Sequence, residues 1–213
     1  YRRQRQMCIR DSDGPTLTPI SVPPPSGLKV IQGGSGPDRL LGGPDDEILA
    51  GKEGNDSLSG GGGDDFLQGG AGDDTLDGGS GNDTADYSDL TTAVVVNLGV
   101  GRATGEGNDS LIAIENVVGG TGNDSLSGDA SNNRLQGGAG NDTLQGGGGD
   151  DILLGGSGND TADYSDLTTA VAVNLGAGRA TGAASGTDTL IAIENVIGGT
   201  GNDVLIGDAG NNL

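Results

Sequence analysis

A nine-residue period governs most of this chain. Each unit opens on a glycine-rich turn, places an acid at its sixth position and a large aliphatic residue at its eighth. Gly69-Gly70-Ala71-Gly72-Asp73-Asp74-Thr75-Leu76-Asp77 is the cleanest of twelve units. Nine residues suffice for one tight loop and one short strand, but not for a core. Such a unit is stable only when stacked on copies of itself, so the period points to a solenoid.

The units fall in blocks. Six run in frame from Gly33 to Asp86, with Asp38, Glu47, Asp56, Asp65, Asp74 and Asp83 at position six. Their eighth residues are Leu40, Leu49, Leu58, Leu67, Leu76 and Ala85. Five more run from Gly119 to Asp163, with Asp124, Asn133, Asp142, Asp151 and Asp160 at position six. Their eighth residues are Leu126, Leu135, Leu144, Leu153 and Ala162. A further unit begins at Gly198 and carries Asp203 and Leu205, and the chain stops inside the next one.

A longer repeat overlies the short one. Tyr87-Ser88-Asp89-Leu90-Thr91-Thr92-Ala93 returns at Tyr164 to Ala170, a shift of 77 (164 − 87). Ile114-Glu115-Asn116-Val117 returns at Ile193 to Val196, a shift of 79 (193 − 114), so the second copy gains two residues near Ala183-Ala184-Ser185. These interludes, 87–118 and 164–197, are expected to continue the solenoid as wider turns or hairpins. Their strand-like runs are Thr92–Leu98 and Leu111–Val118. Val117 and Val196 fall where an eighth residue belongs, and Tyr87 and Tyr164 are expected to cap leucine files that narrow to alanine.

The chemistry of the unit favours a hard cation. Glycines at positions one, two and four admit positive φ, so the loop can curl and turn carbonyl oxygens inward. The sixth residue adds carboxylate oxygens. A donor set of carbonyls and carboxylates, without Cys or His, suits Ca²⁺ and its six to eight flexible oxygen ligands, and fits the small octahedron of Mg²⁺ poorly. The acid is biased the same way: 26 Asp against 5 Glu. A metal-free glycine-rich solenoid would explain the Gly and Leu periods but not the Asp period.

From Gly33 onward the chain resembles the RTX (repeats-in-toxin) hemolysin-type calcium-binding repeats, as in serralysin-like and other type I-secreted bacterial proteins. The resemblance implies an all-β fold, a right-handed parallel β-roll in which two units make one turn and calcium sits between loops two units apart. Carried onto this sequence, Asp38, Asp56 and Asp74 line one side, and Glu47, Asp65 and Asp83 the other. In the second block Asp124, Asp142 and Asp160 line one side, with Asn133 and Asp151 opposite. Asp203 belongs to the third. Two sites are expected to be weak or empty: Glu47/Asp65, whose loop has Asp45 in place of a glycine, and Asn133/Asp151, which lacks one charge.

Composition narrows the rest. Formal net charge is −21, which repels nucleic-acid phosphates and anionic membrane surfaces. No apolar run reaches membrane-spanning length. Cys8 is the sole cysteine, so no internal disulfide forms. Without histidine there is no zinc-protease H-E-x-x-H and no Ser-His-Asp triad, and Gly51-Lys52 is followed by Glu53 rather than the Ser or Thr of a phosphate loop. Glu115 and Glu194 share one Ile-Glu-Asn-Val context and read as structural. Residues 1–12, with four of the ten basic residues, read as a leader foreign to the repeats, and 13–32 as a Pro-rich linker.

The expected function is a calcium-binding module of a secreted bacterial protein. It would stay unfolded at low cytosolic calcium, fold on Ca²⁺ after export, and stabilise or display an attached domain. This chain itself would not be an enzyme. The alternatives are the C-terminal part of an RTX protease, lipase or polysaccharide-modifying enzyme, or a segment of an adhesin or surface-layer protein.

Overall fold

The computed structural model describes residues 28–210 and Asn212. The leader and residues 13–27 of the expected linker lie outside the described residues. The first block forms β1 (Lys29–Gln32), β2 (Arg39–Leu41), β3 (Glu47–Glu53), β4 (Ser57–Gly62), β5 (Phe66–Ala71), β6 (Thr75–Ser80) and β7 (Thr84–Asp86). The first interlude supplies β8 (Val95–Asn97), β9 (Arg102–Thr104), β10 (Asn108–Ile112) and β11 (Asn116–Val118). The second block gives β12 (Ser125–Ser127), β13 (Arg134–Ala139), β14 (Thr143–Gln145), β15 (Ile152–Ser157) and β16 (Thr161–Asp163). Then follow β17 (Val171–Asn174), β18 (Arg179–Gly182), β19 (Gly186–Ile191), β20 (Asn195–Ile197) and β21 (Val204–Ile206).

Successive strands of the blocks alternate between two sheets, and strands two units apart pair in parallel. One sheet runs β2-β4-β6-β10-β9-β8-β12-β14-β16-β20, the other β1-β3-β5-β7-β11-β13-β15-β19-β18-β17-β21. This is a parallel β-roll. In most strands of the blocks the middle side chain of a three-residue core points in and its neighbours point out, as strand geometry requires. Leu40 is buried between exposed Arg39 and Leu41, for example.

Equal register stacks the eighth residues into files. On one sheet Leu40, Leu58, Leu76 and Leu111 pair in turn. On the other the file runs Ile31, Leu49, Leu67, Ala85, Val117, Leu135, Leu153 and Leu190. These residues form one apolar core. Leu205 departs from the expected interior position: it pairs with Val173 but is 45% exposed.

Strand β1 occupies the last four residues of the stretch read as linker. The period itself extends back to it: counted in frame, Ile31 is an eighth residue, and it is buried against Leu49.

The interludes are antiparallel meanders, each of two successive hairpins. β8, β9 and β10 pair antiparallel in sequence, and the outer two join the parallel stack through β12 and β6. β17, β18 and β19 repeat the arrangement. β9, absent from the sequence-based expectation, follows a 3₁₀ turn at Leu98–Val100. There the Asn97 carboxamide oxygen accepts the Val100 N–H, and Gly101 at φ +64° reverses the chain. The run Leu111–Val118 does not stay one strand. It breaks at Ala113, held at φ +47°, and crosses to the opposite sheet.

The two meanders lie in different sheets. After the first meander, six strands (β11 to β16) alternate before the second begins, so the long repeat spans seven half-turns. An odd number of half-turns carries each successive copy to the opposite sheet.

Candidate metal centre

The loops between the sheets carry two ladders of side-chain to backbone hydrogen bonds that run in opposite directions. The inner ladder uses position six. Asp38 N–H donates to Asp56 Oδ1 (2.8 Å), Asp56 N–H to Asp74 (2.7 Å), and Asp124 N–H to Asp142 and Asp142 N–H to Asp160 (2.8 Å each). The opposite side repeats it through Glu47 to Asp65 and Asp65 to Asp83 (2.8 Å each), and Asn133 to Asp151 (2.9 Å). Asp203 accepts from Val171 N–H at 3.0 Å. The ten expected ligand residues thus fall in two files, the arrangement the resemblance implied.

The outer ladder uses position five, and the sequence reading missed it. Asp64 N–H donates back to Asp46 (2.8 Å), Asn82 to Asp64 (2.9 Å), Asn141 to Asn123 (2.8 Å) and Asn159 to Asn141 (2.9 Å). Its signal was present, because position five is Asn or Asp in all units but the one with Pro37.

The inner ladder satisfies only one oxygen of each carboxylate. The second oxygen of Asp56, Asp65, Asp74, Asp83, Asp142, Asp151 and Asp160 is buried with no hydrogen-bond partner. Leaving a buried polar atom unpaired is costly, the more so on an ionised group. These oxygens have carbonyl company. A Cβ on Gly51 would overlap both Asp56 Oδ2 and the Gly69 carbonyl oxygen; one on Gly60 would meet Asp65 Oδ2 and the Gly78 carbonyl, and one on Gly137 would meet Asp142 Oδ2 and the Gly155 carbonyl. Gly70, at φ +93°, leaves room for the Lys52 carbonyl of the turn before it. The turns at Asp56, Asp65 and Asp142 therefore offer one bare carboxylate oxygen beside stacked carbonyls, in space that glycine keeps free of side chains, whereas Asp124 accepts the Val94 N–H on Oδ1 and the Gly120 N–H on Oδ2. Among the described residues no three acidic side chains converge, so most donors must come from backbone. That donor set fits calcium.

Electrostatics agree. Burial pushes Asp74 and Asp151 up to about 7, against the hydrogen bond each accepts, with the nearby Asp109 and Asp188 carboxylates adding to the rise. Burial also lifts Asp65 and Asp142 to about 6, with neighbouring file carboxylates contributing. A bound cation would reverse both effects.

The two sites expected to be weak look different. At Glu47 both oxygens are taken: Gly43 N–H donates to Oε2 (2.7 Å) and Lys29 Nζ to Oε1 (3.2 Å). Asn133 keeps an oxygen in the loop, where its Oδ1 accepts from Asp129 N–H (2.8 Å) and stands beside the Gly146 carbonyl, but it carries no charge, and its Nδ2 donates to the Glu115 carbonyl (2.9 Å) where other members of the file accept a backbone N–H.

The interludes hold further members of the files. Asp109 accepts the Asp74 N–H (3.1 Å) and Asp188 the Asp151 N–H (3.2 Å). Both stand in half-units, Gly107-Asn108-Asp109-Ser110-Leu111 and Gly186-Thr187-Asp188-Thr189-Leu190, that could have been found by searching for positions four to eight alone. Glu115 and Glu194 take the same place for Asp83 (2.9 Å) and Asp160 (2.8 Å). Only Ala113-Ile114-Glu115 join β10 to β11, and the longer glutamate side chain reaches from this shortened loop. Tyr87 and Tyr164, expected to cap leucine files, are buried members of the core.

No curated protein sequence matches the chain. The family model of the RTX calcium-binding nonapeptide repeat matches residues 30–58, 50–85, 114–135, 127–162 and 183–213. These ranges span more than half of the 213 residues. They take in the half-unit around Asp188, and the family's repeats are calcium-binding units found in type I-secreted proteins. This chain belongs to the RTX calcium-binding repeat family, and its structure is that of a calcium-binding β-roll module.

Proposed function

We propose that this module is a calcium-triggered folding element of a secreted protein. It remains unfolded where calcium is scarce, orders on Ca²⁺ after export, and stabilises or displays a domain attached to it. The observation that carries this reading is the row of buried carboxylate oxygens without hydrogen-bond partners, those of Asp56, Asp65 and Asp142 lying beside a carbonyl of the next turn. Such a row is self-repelling when empty and cohesive when cations enter, which makes folding and binding one event.

The ligands proposed are Asp38, Asp56, Asp65, Asp74, Asp83, Asp124, Asp142, Asp151, Asp160 and Asp203 with the glycine-loop carbonyls. When bound, Ca²⁺ would supply positive charge to these carboxylates. Asp38 and seven others keep a buried oxygen that no donor among the described residues reaches, while Asp124 already accepts an N–H on each oxygen. The residues themselves hold the loops in register through the two ladders. Glu47, paired with the Lys29 ammonium, and Asn133, which carries no charge, mark the weak positions.

A circular dichroism titration tests the reading. A cooperative gain of β signal with calcium, reversed by EDTA and little affected by magnesium, is expected. A metal-stripped chain at neutral pH that already shows the full β signal would end it. The matched ranges are repeat units alone, without a catalytic family, and this supports a non-enzymatic role for the module whatever the parent protein does.

A further inference from the structure

Asp109 and Asp188 stand in the same buried files as the nonapeptide aspartates but differ in one respect. At Asp56, Asp74, Asp142 and Asp160 one carboxylate oxygen lacks a partner. At Asp109 that second oxygen accepts the Tyr87 hydroxyl at 3.0 Å, and at Asp188 the Tyr164 hydroxyl at 2.9 Å. All four side chains are buried. A hydroxyl donating to an ionised carboxylate is a strong, charge-assisted hydrogen bond. It meets the need that a cation meets elsewhere.

The backbone around these aspartates differs in parallel. Positions one to three before Asp109 would be Thr104-Gly105-Glu106. Thr104 ends β9, where it pairs with Val95 and Asn108, so it belongs to the meander and not to a loop. In a regular turn a Cβ on the first glycine would meet the next turn's carbonyl, as Gly51 meets that of Gly69. For Gly69 and Gly146, whose next turns are the meander joints, the three nearest atoms all belong to their own aspartates, Asp74 and Asp151. The carbonyl of the next turn is not among them.

We propose that at these two joints the tyrosine hydroxyl stands where regular loops take an ion, so that Asp109 and Asp188 bind none and each meander ends a run of ions. This rests on the calcium reading above. The run Asp38–Asp56–Asp74 is thereby separated from Asp124–Asp142–Asp160, and the joint between them assembles on packing and hydrogen bonds. The two tyrosines set how many ions the module holds.

Equilibrium dialysis of the full chain against calcium, counting bound ions per chain, tests this. Asp109→Asn and Asp188→Asn are expected to bind as many ions as the wild type, while Asp142→Asn binds fewer. An Asp109→Asn or Asp188→Asn chain that binds fewer ions overturns the proposal. If those variants do not fold, Tyr87→Phe and Tyr164→Phe decide: a count equal to or above the wild type supports it, and a lower count overturns it. A wild type that binds no calcium would defeat the functional reading itself, an outcome distinct from ion loss in the joint variants alone.

Discussion

Lys29 Nζ lies 3.2 Å from Glu47 Oε1 across the first turn of the longer sheet. Counted in frame, Lys29 is the sixth residue of the unit before Gly33, the place that an acid holds in the units that follow. The chain thus sets one of its own cations beside the first carboxylate of that file. Glu47 is 3% exposed and Lys29 47%, so water screens only one end of the pair. Lys29→Gln is expected to cost about 1 kcal/mol. The loss should stay local, because each solenoid turn touches only its neighbours. Amide exchange should quicken in β1 and β3 and not in β12 to β16. Unchanged protection in β1 would show that the pair contributes nothing.

Asp142 and Asn133 separate ligand from scaffold. Asp142 lies between Asp124 and Asp160 in its file and serves two adjacent gaps. Asp142→Ala should lose bound calcium and raise the calcium concentration needed for folding by about tenfold or more, equivalent to about 1.4 kcal/mol. Asn133→Ala gives up two side-chain hydrogen bonds, one to the Glu115 carbonyl and one from the Asp129 N–H, and should cost about 1–3 kcal/mol, with the ion count unchanged. Isothermal titration calorimetry on both variants reads midpoint and stoichiometry together. Equal ion loss in the two would overturn the ranking of strong and weak loops.

Two glycines make a matched pair for the backbone argument. Gly70 sits at φ +93° with the Lys52 carbonyl where a Cβ would go. Gly62 has an ordinary φ, and the nearest obstacle is the movable Ser80 Oγ at 3.1 Å. Gly70→Ala should cost more than about 1–2 kcal/mol, because the left-handed strain is compounded by overlap with backbone. Gly62→Ala should fall within about 0.5 kcal/mol of the wild type. Thermal melts in saturating calcium distinguish them, and similar melting temperatures would count against the stacked-carbonyl geometry.

The roll was legible because its determinants are local and periodic. Glycine, aspartate and leucine recur at fixed offsets, so once the RTX resemblance supplies two units per turn, the stacking of Leu40 on Leu58 or Asp38 on Asp56 follows from counting. The meanders were not legible for the same reason. Whether Arg102–Thr104 forms a strand depends on having Val95 and Ser110 on either side of it, contacts that no short pattern encodes. Asp109 was overlooked because its unit keeps positions four to eight but has Thr104 where the first glycine belongs. The Tyr87 hydroxyl bond could not be read at all, since it joins residues 22 apart through a fold back across the sheet. Apolar burial of Tyr87 was foreseeable; the polar partner of its hydroxyl was not.

Acid should mimic calcium. Burial and mutual repulsion hold Asp74 and Asp151 at about 7, and Asp65, Asp142 and Asp188 at about 6, in the folded chain. In the unfolded chain these carboxyls titrate near their ordinary value of 3.8. The folded, metal-free roll therefore holds more protons than the unfolded chain between about pH 4 and pH 7. Its stability is greatest below that window and is lost as pH rises through it. Protons and calcium compete for the same oxygens, so calcium affinity must fall as pH drops across the same range. In metal-depleted buffer, far-ultraviolet circular dichroism should show β signal growing from pH 7.5 to pH 4. The calcium midpoint should be higher at pH 5 than at pH 7.5. Replacing Asp74 and Asp151 with Asn should flatten the profile near neutrality, where those two carboxyls titrate. A metal-free signal that declines on acidification would show that the buried carboxylates do not govern folding.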